Sequence, residues 1–254
     1  MKNALRLFGI IASVALIGLS MAACEGPTGP HGRHSFLVVF NFGDGETLPH
    51  VVGVTHGDRL AAPLTPSSRA IGGNNTLFVF SGWYTDNETF EDRWDFDTPV
   101  TANMMLHANW RDVSEFVGLV GTWGDNAPLV PMDVIITAST FADVGMGYAG
   151  DIVNIRASET SGLSGYITIR FTHITPFGAD APDPNHYDLG RFYVIHFQDL
   201  AANTIAISGA FLPDDPDFDF ATGRIGGKAT MEAAEAAYTY PAAFSMHTTL
   251  ARQP

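Results

Sequence analysis

The sequence predicts a mainly β protein built from two domains, and three observations carry that reading. Short runs of alternating or continuous apolar residues recur through most of the chain, nearly all bounded by Gly, Pro, Asp or Asn. Only Thr230 to Tyr238 has the composition of a helix. The strand pattern changes character at the short polar join Arg111 to Glu115, which separates residues 36–111 from residues 114–254.

Composition fixes the outer limits. Of 254 residues, 46% are hydrophobic and 16% charged, which supplies buried cores and rules out a disordered chain. Thirteen Lys+Arg against 27 Asp+Glu give a formal charge of -14. Without a basic footprint to neutralise phosphates, nucleic acid is not an expected partner. The single Cys, Cys24, can form neither an internal disulfide nor a thiolate zinc cage.

The N-terminus accounts for that cysteine. Lys2 and Arg6 make a basic start, Leu7 to Leu19 is uncharged and apolar, and Met21-Ala22-Ala23 leads into Cys24. The apolar run is shorter than the roughly 20 residues a membrane-spanning helix needs. This stretch resembles a bacterial lipoprotein signal, with Met21 where Leu is usual. The resemblance implies cleavage between Ala23 and Cys24, covalent lipid on Cys24, and attachment to the envelope membrane through acyl chains. The alternative is an ordinary signal peptide that leaves Cys24 as a free thiol. Loss of residues 1–23 removes Lys2 and Arg6 and leaves 11 basic against 27 acidic side chains. Residues 24–35 then form a Gly/Pro tether, with Gly26, Gly29 and Gly32 spaced by three but far too few triplets for a collagen helix.

Residues 36–111 begin with Phe36, Val38, Phe40 and Phe42 on one strand face, followed by the turn Gly43-Asp44-Gly45. Val51 to Thr55, Leu77 to Tyr84 and Met104 to Trp110 read as further strands. Phe80-Ser81-Gly82-Trp83-Tyr84, Asp95-Phe96-Asp97-Thr98-Pro99-Val100 and Leu106-His107-Ala108-Asn109-Trp110 occur in that order. This segment resembles the internalin B-repeat family, with His107 where the family has Tyr and an enlarged loop at Ser67 to Asn75. The resemblance implies a β-grasp-like fold and a non-catalytic interaction or spacer role. Phe80, Trp83, Phe96 and Trp110 are expected in the core, because a small domain needs its large apolar residues inside. Tyr84 and Trp94 are the candidate interface aromatics.

Residues 114–254 hold seven or eight short runs: 116–123, 134–138, 151–157, 165–172, 191–198, 204–211 and 243–250. That number and spacing predict an antiparallel barrel or sandwich. In Gly165 to Thr172, Ile167, Ile169 and Phe171 share one face, and Tyr166, Thr168, Arg170 and Thr172 form a wet one. Thr230 is the expected N-cap of the single short helix, with Glu232 in its first turn. Gly121-Thr122-Trp123 resembles the first-strand Gly-x-Trp of lipocalin-like (calycin-like) barrels, which implies a basic residue of the last strand lying across Trp123; Arg252 is the candidate. Val153, Ile155, Ile167, Ile169, Phe171, Ile205 and Ile207 are expected inside. They suit equally a filled core or a pocket for a small hydrophobic ligand.

Motifs for chemistry fall short. Asp215, Asp217 and Asp219 have the alternate spacing of a calcium loop but lack its Gly and Glu, leaving at most weak calcium binding. Gly226-Gly227-Lys228 lacks the rest of a phosphate loop, and Ser161 to Gly165 lacks the leading Gly of a nucleophile elbow. His173, His186 and His196 show no ligand spacing. No other metal and no cofactor is expected. The sequence is therefore read as a non-enzymatic, lipid-anchored envelope or surface protein of adhesion type with an unknown protein or glycan partner. A hydrophobic-ligand carrier is the alternative, and an envelope hydrolase stands third.

Overall fold

The computed structural model describes residues 34–44, 47–71, 76–125, 133–158, 163–176, 179–219 and 222–254. The signal, Ala23, Cys24, nearly all of the tether, Gly72 to Asn75 and Ser161-Gly162 lie outside these residues. The chain divides into two compact units: residues up to 64 with 81–110, and residues 65–80 with 111–254. Residues 65–80, expected in the first domain, thus belong with the second. Ser68 donates its N–H to the Ile152 carbonyl at 2.6 Å and its Oγ to Ala138 O at 2.7 Å. Leu77 and Val79 join the hydrophobic cluster of the second unit.

The N-terminal sheet has the order β2-β1-β5-β4-β3, from β1 (Ser35–Asn41), β2 (His50–Thr55), β3 (Arg69–Ile71), β4 (Thr76–Tyr84) and β5 (Met104–Asp112). β1 runs antiparallel to β2 and parallel to β5. Alternation sends Val38 and Phe40 into the core, where Trp83 meets Phe40 edge-on at 4.8 Å. Among the four expected core aromatics only Trp83 is buried; Phe80, Phe96 and Trp110 are half-buried. Trp110 has a physical reason to stay there: its Nε1 donates to Phe42 O at 2.8 Å. Its polar edge is thereby satisfied without full burial.

The second unit contains a closed eight-stranded antiparallel barrel. Its strands are β6 (Gly121–Gly124), β7 (Asp133–Ile136), β8 (Thr140–Asp143), β9 (Tyr148–Ala157), β10 (Gly165–Ile174), β11 (Phe192–Gln198), β12 (Thr204–Gly209) and β15 (Thr248–Arg252). The strands follow one another up and down, and β15 closes against β6. A two-stranded hairpin, β13 (Phe218–Asp219) with β14 (Arg224–Ile225), and helix α1 (Met231–Ala237) are inserted between β12 and β15. Thr230 caps α1 by accepting Ala233 N–H on its Oγ1 at 3.1 Å.

Two expectations shift. The last strand begins at Thr248 rather than Ala243, because Ala243 and Phe244 are buried outside the strands and Ala243 accepts the Phe211 N–H through its carbonyl. The wet face of β10 is only partly wet: Tyr166 is 7% exposed and Thr168 fully buried. Glu235 of α1 accepts hydrogen bonds from Thr168 Oγ1 at 2.7 Å and Asn154 Nδ2 at 2.8 Å, which pins the helix over that face.

Arg252 closes one end of the barrel. Its guanidinium lies 4.2 Å from the Trp123 ring centroid and donates to Gly118 O, Val120 O and Ala202 O at 2.6, 2.9 and 2.9 Å. Those carbonyls come from the short 3₁₀ helix Ser114–Leu119, the residue after it, and the turn before β12. Trp123 Nε1 donates to Leu119 O at 2.8 Å, fixing the same helix from inside. A Cβ on Gly121 would collide with Arg252 Nη1, so a side chain there would displace the guanidinium from its carbonyls.

Arg252→Ala is expected to destabilise the second unit by on the order of 3 kcal/mol, since it strands carbonyls and uncovers Trp123. Arg252→Lys should recover little, because one ammonium cannot reach three diverging carbonyls. Urea melts followed by Trp fluorescence and far-UV circular dichroism check both.

Candidate functional site

Three regions of the second unit bring polar or aromatic side chains together: the barrel interior, a network around β13 and β14, and a patch on the outer face under the segment after α1. The interior is the first place to look for a ligand. Ile155, Ile167, Ile169, Phe171, Ile205 and Ile207 all belong to one buried cluster with Trp123, Phe141, Tyr148 and Tyr193. Val153, also expected inside, is buried but stands outside that cluster. It is the extra residue of a β-bulge, since Thr168 pairs with Asn154 and Ile169 with Ile152.

The rings inside touch one another. Tyr148 meets Phe171 at 5.7 Å and Tyr193 at 5.8 Å, Phe171 meets Tyr193 at 5.3 Å, and Tyr193 meets Tyr238 at 5.9 Å. At the other end Phe116 packs edge-on to Phe197 at 5.5 Å. Tyr193 Oη donates to Ala210 O at 2.6 Å. A Cβ at Gly209 would come 2.8 Å from that hydroxyl, so the strand leaves just enough room for the phenol. Near these rings Asp143 is 5% exposed and accepts the Met146 N–H at 2.9 Å. Burial raises its carboxyl to about 6, against the opposing pull of turn N–H groups.

The second region is the network around β13 and β14. Asp188 is wholly buried and accepts N–H groups from Ile225 at 2.7 Å and Gly227 at 3.0 Å. Asp217 holds Arg191 at 3.1 Å, Arg224 at 3.0 Å and Lys228 at 3.0 Å. Asp215 takes the Lys228 ammonium and the Tyr238 hydroxyl, the latter at 2.6 Å. Burial pushes the Asp215 carboxyl up, but those two donors outweigh it and hold it below its usual value. Of the three acids with calcium-loop spacing, Asp215 and Asp217 face cations and Asp219 accepts the Thr222 hydroxyl at 2.8 Å. Among the described residues no three His, Cys, Asp or Glu side chains converge on a metal geometry.

The third region is a line of imidazoles. His196 Nδ1 lies 2.8 Å from His247 Nε2, and His196 Nε2 lies 3.4 Å from Ser158 Oγ. His196 is fully buried, stacked on Tyr240 at 4.9 Å and tilted against Tyr166 at 4.9 Å and Phe244 at 5.4 Å. Arg156 sits 3.9 Å over the other side of Tyr166. Burial, then His247 and Arg156, lower the His196 imidazole to about 4. A base this weak takes a serine proton poorly. The geometry suits a neutral polar latch that holds the segment 238–247 against β10 and β11.

The other sequence candidates are separated from these regions. His186 bonds Gly223 O through Nε2 at 3.1 Å and accepts Asp188 N–H on Nδ1 at 3.2 Å; His173 lies exposed on β10. In the first unit Tyr84 and Trp94 are half-buried, Tyr84 packed edge-on against Phe90 at 5.6 Å. His247 and Ser158 carry no sequence signal, because their meeting with His196 depends on strand register and on the course of the chain after α1. Comparison with protein-family models, curated proteins and solved structures finds no match to this chain.

His196 and Asp143 impose opposite pH dependences. The depressed histidine contributes stability that is present above its unfolded value of 6.5 and is lost as pH falls toward 4, about 3 kcal/mol in all. The raised carboxyl lets the folded state bind a proton first, so its contribution rises by about 3 kcal/mol as pH falls from 6 through 3.8. Asp143→Asn should therefore be more stable than wild type at pH 7 and lose that advantage by pH 4. His196→Gln should shed the acid-induced loss that wild type shows over the same range. Difference curves of unfolding free energy against pH test this; parallel curves for wild type and either variant would refute the assignment of that residue.

Proposed function

We propose that the chain is a lipid-anchored envelope protein whose two β units act as a non-catalytic interaction module. The observation that carries this reading is the barrel interior, where aromatic and aliphatic side chains contact one another from the Trp123 end to the Tyr238 end. An eight-stranded barrel filled in this way works as a scaffold and presents its outside to partners. The carrier alternative needs interior space, and the contacts among these rings weigh against it.

For residues 36–111 we propose kinship with internalin B-repeats and a β-grasp-like fold. The central parallel pair of β1 and β5, with β2 antiparallel to β1, supports it. Tyr84 and Trp94 are the proposed contact aromatics of this unit. The Trp123 and Arg252 pairing, with the 3₁₀ helix before β6, supports a lipocalin-like ancestry for the barrel. The membrane anchor rests on Cys24 and its preceding residues alone.

Two experiments decide. Cells given a radioactive fatty acid should label wild type and not Cys24→Ala; equal labelling of both would end the anchor proposal. Native mass spectrometry of residues 24–254 carrying Cys24→Ser, purified from cells without detergent, should show the bare polypeptide mass. A retained lipid mass would favour the carrier.

A further inference from the structure

We infer that β2 is a self-association edge, which pairs antiparallel with β2 of a second copy of this chain about a two-fold axis at Gly53. β2 is a terminal strand of its sheet. It pairs with β1 without a register shift from Ser35 opposite Thr55 to Phe40 opposite His50. The phase of the ladder is fixed where His56 N–H donates to His34 O at 2.7 Å, which makes 34 and 56 a hydrogen-bonded pair. Hydrogen-bonded and open pairs alternate in an antiparallel ladder. His50, Val52 and Val54 therefore bond inward to β1, while Val51, Gly53 and Thr55 direct their N–H and C=O groups outward. Thr55 O accepts Asp58 N–H at 3.0 Å. Among the described residues the other outward groups are left to solvent.

Proteins commonly blunt such an edge with charge, proline or a bulge. β2 has none of these, and from Thr47 to Gly57 there is no Asp, Glu, Lys or Arg. In a chain of net charge -14, a second copy can approach this strip with the least repulsion.

The strip is also self-complementary. A two-fold axis at Gly53 places Gly53 opposite Gly53 of the second copy and each Val51 opposite Thr55, so the same outward groups serve as donors and acceptors on both sides. Leu37, 40% exposed, is the β1 neighbour of Gly53 on the same sheet face, and Val51 is 48% exposed beside it. Pairing two copies would bring these apolar side chains together over a continuous sheet. A Cβ at Gly53 would meet nothing within 4 Å, so the monomer tolerates a side chain there. An interface of one strand pair is small, which makes the association weak and dependent on concentration. The inference stands whether or not the anchor exists, though confinement of copies to one membrane would raise their effective concentration.

Sedimentation equilibrium of residues 24–254 with Cys24→Ser, from micromolar to near-millimolar concentration, tests it. Wild type should follow a monomer-dimer equilibrium. Gly53→Glu puts like charges opposite each other at the axis and should weaken association at least tenfold with circular dichroism and Tm unchanged; Gly53→Ser should retain it. Val51→Lys, at an exposed side chain, should weaken it as well and serves if Gly53→Glu misfolds. A wild type that stays monomeric throughout, or charged variants that dimerise as wild type does, would overturn the inference.

Discussion

Closure of the barrel by β15 against β6 is the constraint on which the second unit depends. Eight antiparallel strands in an open sheet leave two edges of unpaired N–H and C=O groups, and closure removes both. The closing strands lie at opposite ends of the unit in sequence, so their pairing carries the largest loop-closure entropy of the fold. Their ladder pairs Ala251 with Gly124 and Arg252 with Trp123. The guanidinium of Arg252 reinforces it by tying two carbonyls before β6 and one before β12 to the Trp123 ring. Gly121 is bare because that guanidinium occupies the space its Cβ would need.

With closure in place, the rest of the unit is arranged around the barrel and its apolar cluster. Inward side chains form one cluster, and the long insertion after β12 is held by polar contacts outside it. Glu235 fastens α1 to β9 and β10, the His196 and His247 pair fastens the following segment, and Asp188, Asp215 and Asp217 tie β13 and β14 to Arg191 and Lys228. These groups have low exposure and matched partners, as buried polar groups require. Two of the acids with calcium-loop spacing, Asp215 and Asp217, face the cations Arg191, Arg224 and Lys228.

The N-terminal sheet treats its edges differently. It stays open, with β1 between an edge strand and a parallel neighbour, and β2 presents half of its backbone groups outward. A closed barrel offers side chains to a partner, whereas an open sheet offers its backbone as well.

Beyond the Trp123 and Arg252 contact, which only the resemblance to lipocalin-like barrels implied, the sequence by itself determined the mainly β class, the short helix with its Thr230 cap, the apolar inward rows of β10 and β12, and the Gly-x-Trp start of the barrel. These features are local: strand alternation, capping and a Gly-x-Trp pattern are written in neighbouring residues. The tertiary structure alone decided that residues 65–80 cluster with the second unit, that Tyr166 and Thr168 on the supposed wet face are covered, that Val153 is a bulge residue, and that His196 meets His247 and Ser158. Each of these depends on register or on where a distant segment lies. Periodicity says which residues share a face of one strand, but what covers that face is fixed only when the strands pair and the barrel shuts.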